Sequence, residues 1–234
     1  MASQIEHVIT ELRRRIVNGV LPAGERIIET TFAPELGVSR TPLRLALVEL
    51  ERQGLLERIG KRGYRVRIVT LDEVAKAIDV RGVLEGYGVR LLAETGLTAQ
   101  VHSMLRDSVA QGRRLLDDAE RGAQELDTTA WAAMNARFHQ TLVESAGNEC
   151  LRAALEHVTK SPLVGAGALG FSGQASLELA FIQRAQTDHE DLLAAISNRE
   201  GARAEALMRE HARRSRDNKR ALMERIAQAP GPDL

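Results

Sequence analysis

Three histidines and an asparagine are the residues of this 234-residue chain whose types and spacing suggest chemistry. Asn135 and His139 stand four apart in a run of helical periodicity, which places both side chains on one helix face. His189 and His211 flank a helix break centred near residue 200, each about eleven residues from it, so an antiparallel helix pair would bring them to one height. Three imidazoles and a carbonyl oxygen are a donor set suited to a divalent cation. The plainer alternative is that these are packing histidines with satisfied ring nitrogens. A three-histidine site with open positions also describes a metal-dependent hydrolase or lyase, and a sensor of the metal itself is a further alternative. No additional acid or base stands at a motif spacing from these histidines, so the expectation is that the protein is not an enzyme.

A second group points to nucleic acid. Arg40, Thr41 and Arg44 lie on one edge of a segment whose other edge carries Leu43, Leu47 and Leu50 at i, i+4 and i+7. A helix that enters the major groove needs this combination, polar donors toward base edges and an apolar back. Lys61, Arg62 and Gly63 form a basic tip bounded by glycine, suited to phosphate or minor-groove contact because glycine lets a backbone approach closely. Arg13, Arg14 and Arg15 would add phosphate contacts or simply line a solvated helix face. A winged helix used only for protein contacts is the alternative to DNA binding.

The elements that must position these residues follow from periodicity and breakers. Ile5, Val8, Ile9, Leu12 and Ile16 mark a helix over Gln4–Asn18, closed by Gly19 and followed by a turn at Leu21–Gly24. A short helix is expected over Thr30–Leu36, with Pro34 tolerated near its first turn. Ser39 suits the N-cap of a third helix, with Pro42 early inside it and Gly54 after it. Leu55–Ile59 and Tyr64–Val69 read as a β-hairpin. Helix, helix, turn, helix and hairpin make a winged helix-turn-helix over residues 1–70. Strand signals then vanish, and six helices are expected at about 71–95, 98–121, 125–146, 148–160, 175–197 and 200–227. The expected fold is mainly α, with the winged helix followed by an antiparallel all-α bundle over 71–227 and a tail at 228–234. Gly165–Gly170 is a literal GxGxxG, but it sits between helices rather than in a βαβ unit, so it reads as a connection and not a dinucleotide site.

Composition narrows the class. Aromatic residues make up 3% and hydrophobic residues 44%, which favours aliphatic helix packing over a β-sandwich. Net charge is zero, yet residues 1–70 carry 12 Lys+Arg against 8 Asp+Glu, a basic front end that suits nucleic acid. The single cysteine, Cys150, excludes an internal disulfide and is expected to be a buried packing residue. No apolar run approaches the ~20 residues needed to span a bilayer, and the N-terminus lacks a signal-peptide pattern. A cytoplasmic protein without membrane contact is expected.

The segment Leu21-Pro22-Ala23-Gly24-Glu25-Arg26 through Leu36-Gly37-Val38-Ser39-Arg40-Thr41-Pro42-Leu43-Arg44, with Ala46-Leu47, Leu50-Glu51 and Gly54-Leu55, resembles the GntR family of bacterial regulators over nearly all of residues 10–68. The resemblance implies base or phosphate contacts at Arg40, Thr41 and Arg44 and a minor-groove position for Gly63. Leu45 departs from the family's usual glutamate. Asn135-Ala136-Arg137-Phe138-His139, Leu142 and Ser145-Ala146-Gly147-Asn148 are similar to a motif of the FadR-like branch, whose sensor (FCD) domain carries later histidines at the spacing of His189 and His211. The six-helix count places the chain nearer the VanR-like subgroup. This resemblance implies a metal such as zinc held by His139, His189 and His211, and a carboxylate effector anchored on it. It also implies an effector-lining role for Arg81, against which stands a simple i,i+4 pair of Arg81 with Glu85 on a solvated face. The branch's usual aspartate is Asn135 here, so three neutral imidazoles and an amide would leave a dication at +2 rather than +1. A ligand-responsive repressor that binds an operator as a homodimer is the expected function, since such modules usually read two half-sites.

Overall fold

The structure, a computed structural model, describes residues 2–17, 20–60, 63–122, 125–159, 164–166 and 175–228. Side chains are described within 4–16, 20–60, 63–122, 125–159, 164–166 and 179–221. The chain divides into two compact units, the first ending at Thr70 and the second starting at Leu71.

In the first unit, α1 (Ala2–Val17) turns Val8 and Leu12 into a core that also takes Leu43, Leu47 and Leu50 of α3 (Arg40–Arg52). Between them lies α2 (Glu29–Glu35), one residue earlier than its apolar spacing suggests. Ser39 occupies the N-cap of α3 with extended backbone, but its side chain makes no capping hydrogen bond. The hairpin pairs β2 (Leu56–Ile59) with β3 (Gly63–Val66), Ile59 opposite Gly63 and Arg58 opposite Tyr64. A Cβ on Gly63 would meet the Ile59 carbonyl oxygen at 3.0 Å, so a larger residue at this end of the hairpin would need the strand to give slightly. A third strand, β1 (Arg26–Ile27), pairs antiparallel with β3 and completes the order β1-β3-β2. Sequence periodicity does not mark β1, because two residues are too short to show an alternation.

The regular elements described in the second unit are all helices: α4 (Leu71–Thr95), α5 (Ala99–Glu120), α6 (Thr128–Ser145), α7 (Glu149–Val158), α8 (Ala175–Ser197) and α9 (Gly201–Gln228). Thr98, Asp127 and Asn148 cap α5, α6 and α7 by accepting from the backbone N–H three residues on. Apolar side chains from α4, α5, α6, α8 and α9 share one core around Leu92, Leu105, Met134, Phe138, Leu192 and Met208. Cys150 is exposed on α7, not buried as its residue type suggests, because the inward positions of this short helix go to Leu151 and Leu155.

The longest packing seam runs between α4 and α9. It depends on small residues, since a Cβ on Gly82 would stand 2.6 Å from the Ala212 Cβ and one on Gly86 3.3 Å from the Glu205 carbonyl oxygen. Neither obstacle is the end of a flexible side chain, so any bulk at Gly82 must push the helices apart. Gly82→Leu is expected to destabilise the fold by about 1–3 kcal/mol through overpacking. Urea denaturation checks this; a midpoint equal to that of the wild type would show that the seam tolerates bulk.

Candidate DNA-reading face and candidate metal centre

On α3 the two edges separate as a groove-reading helix needs. Leu43 and Leu47 are fully buried, whereas Arg40, Thr41 and Arg44 are exposed. Arg44 Nε donates to Glu29 Oε2 at 2.7 Å. That pair is exposed on the arginine side, and such pairs contribute only about 0–1 kcal/mol, so an incoming phosphate or base can replace the carboxylate. Arg44 and Gly63 line one cleft together with Arg26, Ile28 and Tyr64, which joins the exposed edge of α3 to the hairpin. Arg62 and Lys61 lie outside the described residues. Arg14 and Arg15 both pair with Glu11, Arg15 also with Glu35, and Arg13 donates to Gln53, the pattern of a solvated helix face. Leu45 and Val48 are 51% and 47% exposed on the same side of α3 as Thr41.

In the second unit, α6 supplies Asn135 and His139, α8 supplies His189, and α9 supplies His211. The three imidazoles are buried, and one ring nitrogen from each lies within 4.8 Å of the others. The α4–α9 seam sets Arg81 and Glu85 beside them. His139 Nδ1 lies 3.1 Å from Glu85 Oε2, and His211 Nδ1 lies 3.3 Å from Asp188 Oδ2. A carboxylate on one ring nitrogen fixes the imidazole's orientation and leaves Nε2 as the second donor atom, the usual support for a metal-ligating histidine. His189 is held by rings instead, stacked on Trp131 with centroids 6.0 Å apart and tilted against Phe138 at 4.4 Å.

Four atoms test whether these residues fit a metal. His139 Nε2, both nitrogens of His189 and Asn135 Oδ1 are buried with no hydrogen-bond partner among the described residues. An unsatisfied buried polar group costs about 1–3 kcal/mol, so several at one point are a standing expense unless a ligand engages them. Protonation does not relieve it at His189, where burial foremost, then the neighbouring His211 and His139, lowers the imidazolium well below its ordinary range. His211 is lowered too, by burial above all. Neutral imidazoles with free lone pairs are what a divalent cation requires. The donor set fits.

Sequence reasoning missed the carboxylates. Glu85 was expected only as a solvated partner of Arg81, and no acid was expected near the histidines. The Arg81–Glu85 pair does form, with Nε and Oε2 3.6 Å apart, but it is buried, with Arg81 1% exposed. Burial works to raise the Glu85 carboxyl, yet His139 and the Arg81 guanidinium hold it at about 2. Asp188 is likewise held below its ordinary range against burial, by His211 and by Arg214, whose Nη1 donates at 2.7 Å. The charge reckoned from the ligands alone is therefore incomplete, since two carboxylates stand directly behind them. One signal was available. Glu85 interrupts the apolar stripe Ile78, Gly82, Val89 of α4, a position where only a partnered carboxylate can be buried.

The site opens into a cavity of about 90 Å³ whose described lining includes Arg81, Asn135, His139, Asp188 and His211, with Arg184, Arg214, Ser215, Asn218 and Lys219 beyond them. Burial, with the nearby Arg81, lowers the Lys219 ammonium to about 7. Arg81 Nη1 donates to the Val164 carbonyl at 2.5 Å, and Asn135 Nδ2 donates to that of Ala166, also at 2.5 Å. These bonds tie residues 164–166, the start of the GxGxxG stretch, to the site; residues 167–170 lie outside the described residues. His102 and His157 stay apart from the cluster.

Comparison with known proteins places this architecture. Residues 4–66 match the model for bacterial regulatory proteins of the gntR family, and residues 76–214 match the FCD domain. The chain belongs to the GntR family of bacterial regulators, in the branch that carries an FCD domain. Its relatives include the HTH-type transcriptional regulator YdhC of Bacillus subtilis, 30% identical over 63% of this chain and 63% of that one. The gluconate operon transcriptional repressor of the same organism is 28% identical over 62% of this chain and 56% of the repressor. The matched segment thus spans less than two thirds of each relative's length. Among solved structures, E. coli McbR/YncC shares the fold with a TM-score of 0.62 at 24% identity, covering 97% of this chain and all of that one. The family and these relatives are regulators rather than enzymes. Among the described residues no helix is long and apolar enough to cross a membrane.

The depressed His189 and His211 set a pH dependence for metal-free protein. A group whose pKa is lower folded than unfolded stabilises the fold above its unfolded value and loses that contribution as pH falls. Chelator-treated protein is expected to melt at progressively lower temperature from pH 7.5 to pH 5.5, and His189→Phe to flatten the slope. Equal slopes in the two proteins, followed by circular dichroism, would show that His189 is not the titrating group.

Proposed function

We propose that the protein is a DNA-binding transcription regulator, acting as a repressor, whose helical domain holds a divalent metal, zinc by its donor set, and through it a small carboxylate effector. The observation that carries this is the knot of unpartnered buried imidazole nitrogens beside a cavity lined by Arg81, Arg214 and Lys219. His139, His189 and His211 would hold the metal, with the Asn135 carbonyl oxygen as fourth donor. A cation there supplies a Lewis-acid anchor for an anionic oxygen. Arg81 orients the effector's carboxylate, and Glu85 and Asp188 hold His139 and His211 in place. Arg81 and Asn135 also hold residues 164–166, so an effector that engages either one competes with a backbone carbonyl. That difference in contacts is what would bias one conformation over another.

On the DNA side, Arg40, Thr41 and Arg44 would meet base edges and phosphates, with Arg62 and Gly63 at the wing. Repression is supported by the name of the gluconate operon repressor among the relatives. A homodimer is supported by the exposed stripe Val80, Val83 and Tyr87 on α4, at i, i+3 and i+7.

Three measurements test the proposal. Metal analysis of purified protein is expected to find about one metal per chain in the wild type and much less in a His139→Ala, His189→Ala double variant; equal content in both would remove the metal site. Asn135→Asp is expected to bind the metal more tightly and to bind anionic effectors more weakly, because it adds a negative charge at the ion. In gel shifts on the protein's own upstream DNA against a panel of organic acids, Arg81→Ala is expected to keep DNA binding and lose release by acid. Arg40→Ala is expected to weaken specific binding by about 1–3 kcal/mol. Turnover of an acid rather than release of DNA would overturn the regulatory role.

A further inference from the structure

The exposed edge of α3 is not uniformly polar. Beside Arg40 and Arg44 runs a row formed by Thr41, Leu45 and Val48 at i, i+4 and i+7, one face of the helix. All three are exposed, Leu45 by 51% and Val48 by 47%, and each ends in methyl groups. A single exposed aliphatic residue needs no explanation. Two in one row beside the arginines of the DNA-reading edge place an apolar strip where base edges would lie.

The chemistry of the groove says what such a strip can match. In the major groove every base pair presents hydrogen-bond donors and acceptors, and the one apolar group available is the 5-methyl of thymine. A leucine pressed onto guanine, cytosine or adenine edges would strip their water and return no hydrogen bond, which is costly. Against a thymine methyl the same contact is favourable. We propose that Leu45, with Val48 and the Thr41 methyl beside it, reads thymine through its 5-methyl group. The row from Thr41 to Val48 is about 10 Å long, so the thymines fall within roughly three base pairs of the base read by Arg44. This rests on α3 entering the major groove, as proposed above.

The test uses full-length protein and DNA alone. A duplex is selected from a random-sequence library, and each of its thymines is then replaced singly by uracil, which keeps every hydrogen-bonding group and removes only the methyl. The wild type is expected to bind about fourfold more weakly for one or two of these replacements, the value of one buried methyl group. Leu45→Ala is expected to bind the thymine and uracil duplexes alike, with an unchanged thermal melt because Leu45 lies outside the core. A wild type indifferent to every replacement, or a Leu45→Ala variant that keeps the full thymine preference, overturns this proposal while leaving DNA binding intact. Failure to enrich any duplex overturns the DNA-binding reading and this proposal together. Enrichment of duplexes without thymine near the arginine-read base would assign the strip to a protein partner instead.

Discussion

Burial of charge inside an aliphatic helical bundle is the constraint on which the second unit depends. Arg81, Glu85, Asp188 and three imidazoles lie where solvent does not reach, and an isolated charge there is strongly disfavoured. The two carboxylates are therefore answered by other groups: Glu85 by Arg81 and His139, Asp188 by His211, Arg184 and Arg214. Glu85 meets His139 across α4 and α6, and Asp188 meets His211 and Arg214 across α8 and α9, so these answers exist only where the helices pack closely. Gly82 facing Ala212 lets α4, which carries Arg81 and Glu85, lie close against α9, which carries His211. A packing detail thus sets the electrostatics of the site.

The same network leaves buried polar atoms without a hydrogen-bond partner among the described residues, several of them on the clustered imidazoles. His139 Nε2, both ring nitrogens of His189 and Asn135 Oδ1 are among them. Carboxylates on the outer nitrogens of His139 and His211 and aromatic rings around His189 hold the imidazoles still. Rigidity of that kind is what a metal-ligating set of histidines would need.

The winged helix works by the opposite principle. Arg40, Thr41 and Arg44, the residues proposed to read DNA, are exposed, and their helix is held by an apolar back, with Leu43, Leu47 and Leu50 fixed against α1. Ion pairs such as Arg44–Glu29 hold side chains near their working positions at little cost, because an exposed pair is readily exchanged. The two units therefore divide the labour between a surface that exchanges its partners and an interior that cannot leave its polar atoms unmatched.

The helices of the second unit and the hairpin of the first were legible in the sequence, because 3.6- and two-residue periodicities and the breaks at Gly96, Gly122 and Gly147 are local properties of the chain. Asn135 and His139 share a face by the same local rule, and Arg40, Thr41 and Arg44 an edge. The two-residue strand β1 was not legible, since its order comes from β3 across the sheet. Nor was the exposure of Cys150, which depends on which face of α7 meets α4. Asp188 sits next to His189 in the chain yet serves His211, because neighbouring helix positions point about 100° apart and α9 lies on Asp188's side. Residue types and spacing by themselves pointed to two candidate sites and named most of the residues proposed for them. Only the tertiary structure decided which charges answer which, because that depends on distances between helices far apart in sequence, and these are set by packing rather than by periodicity.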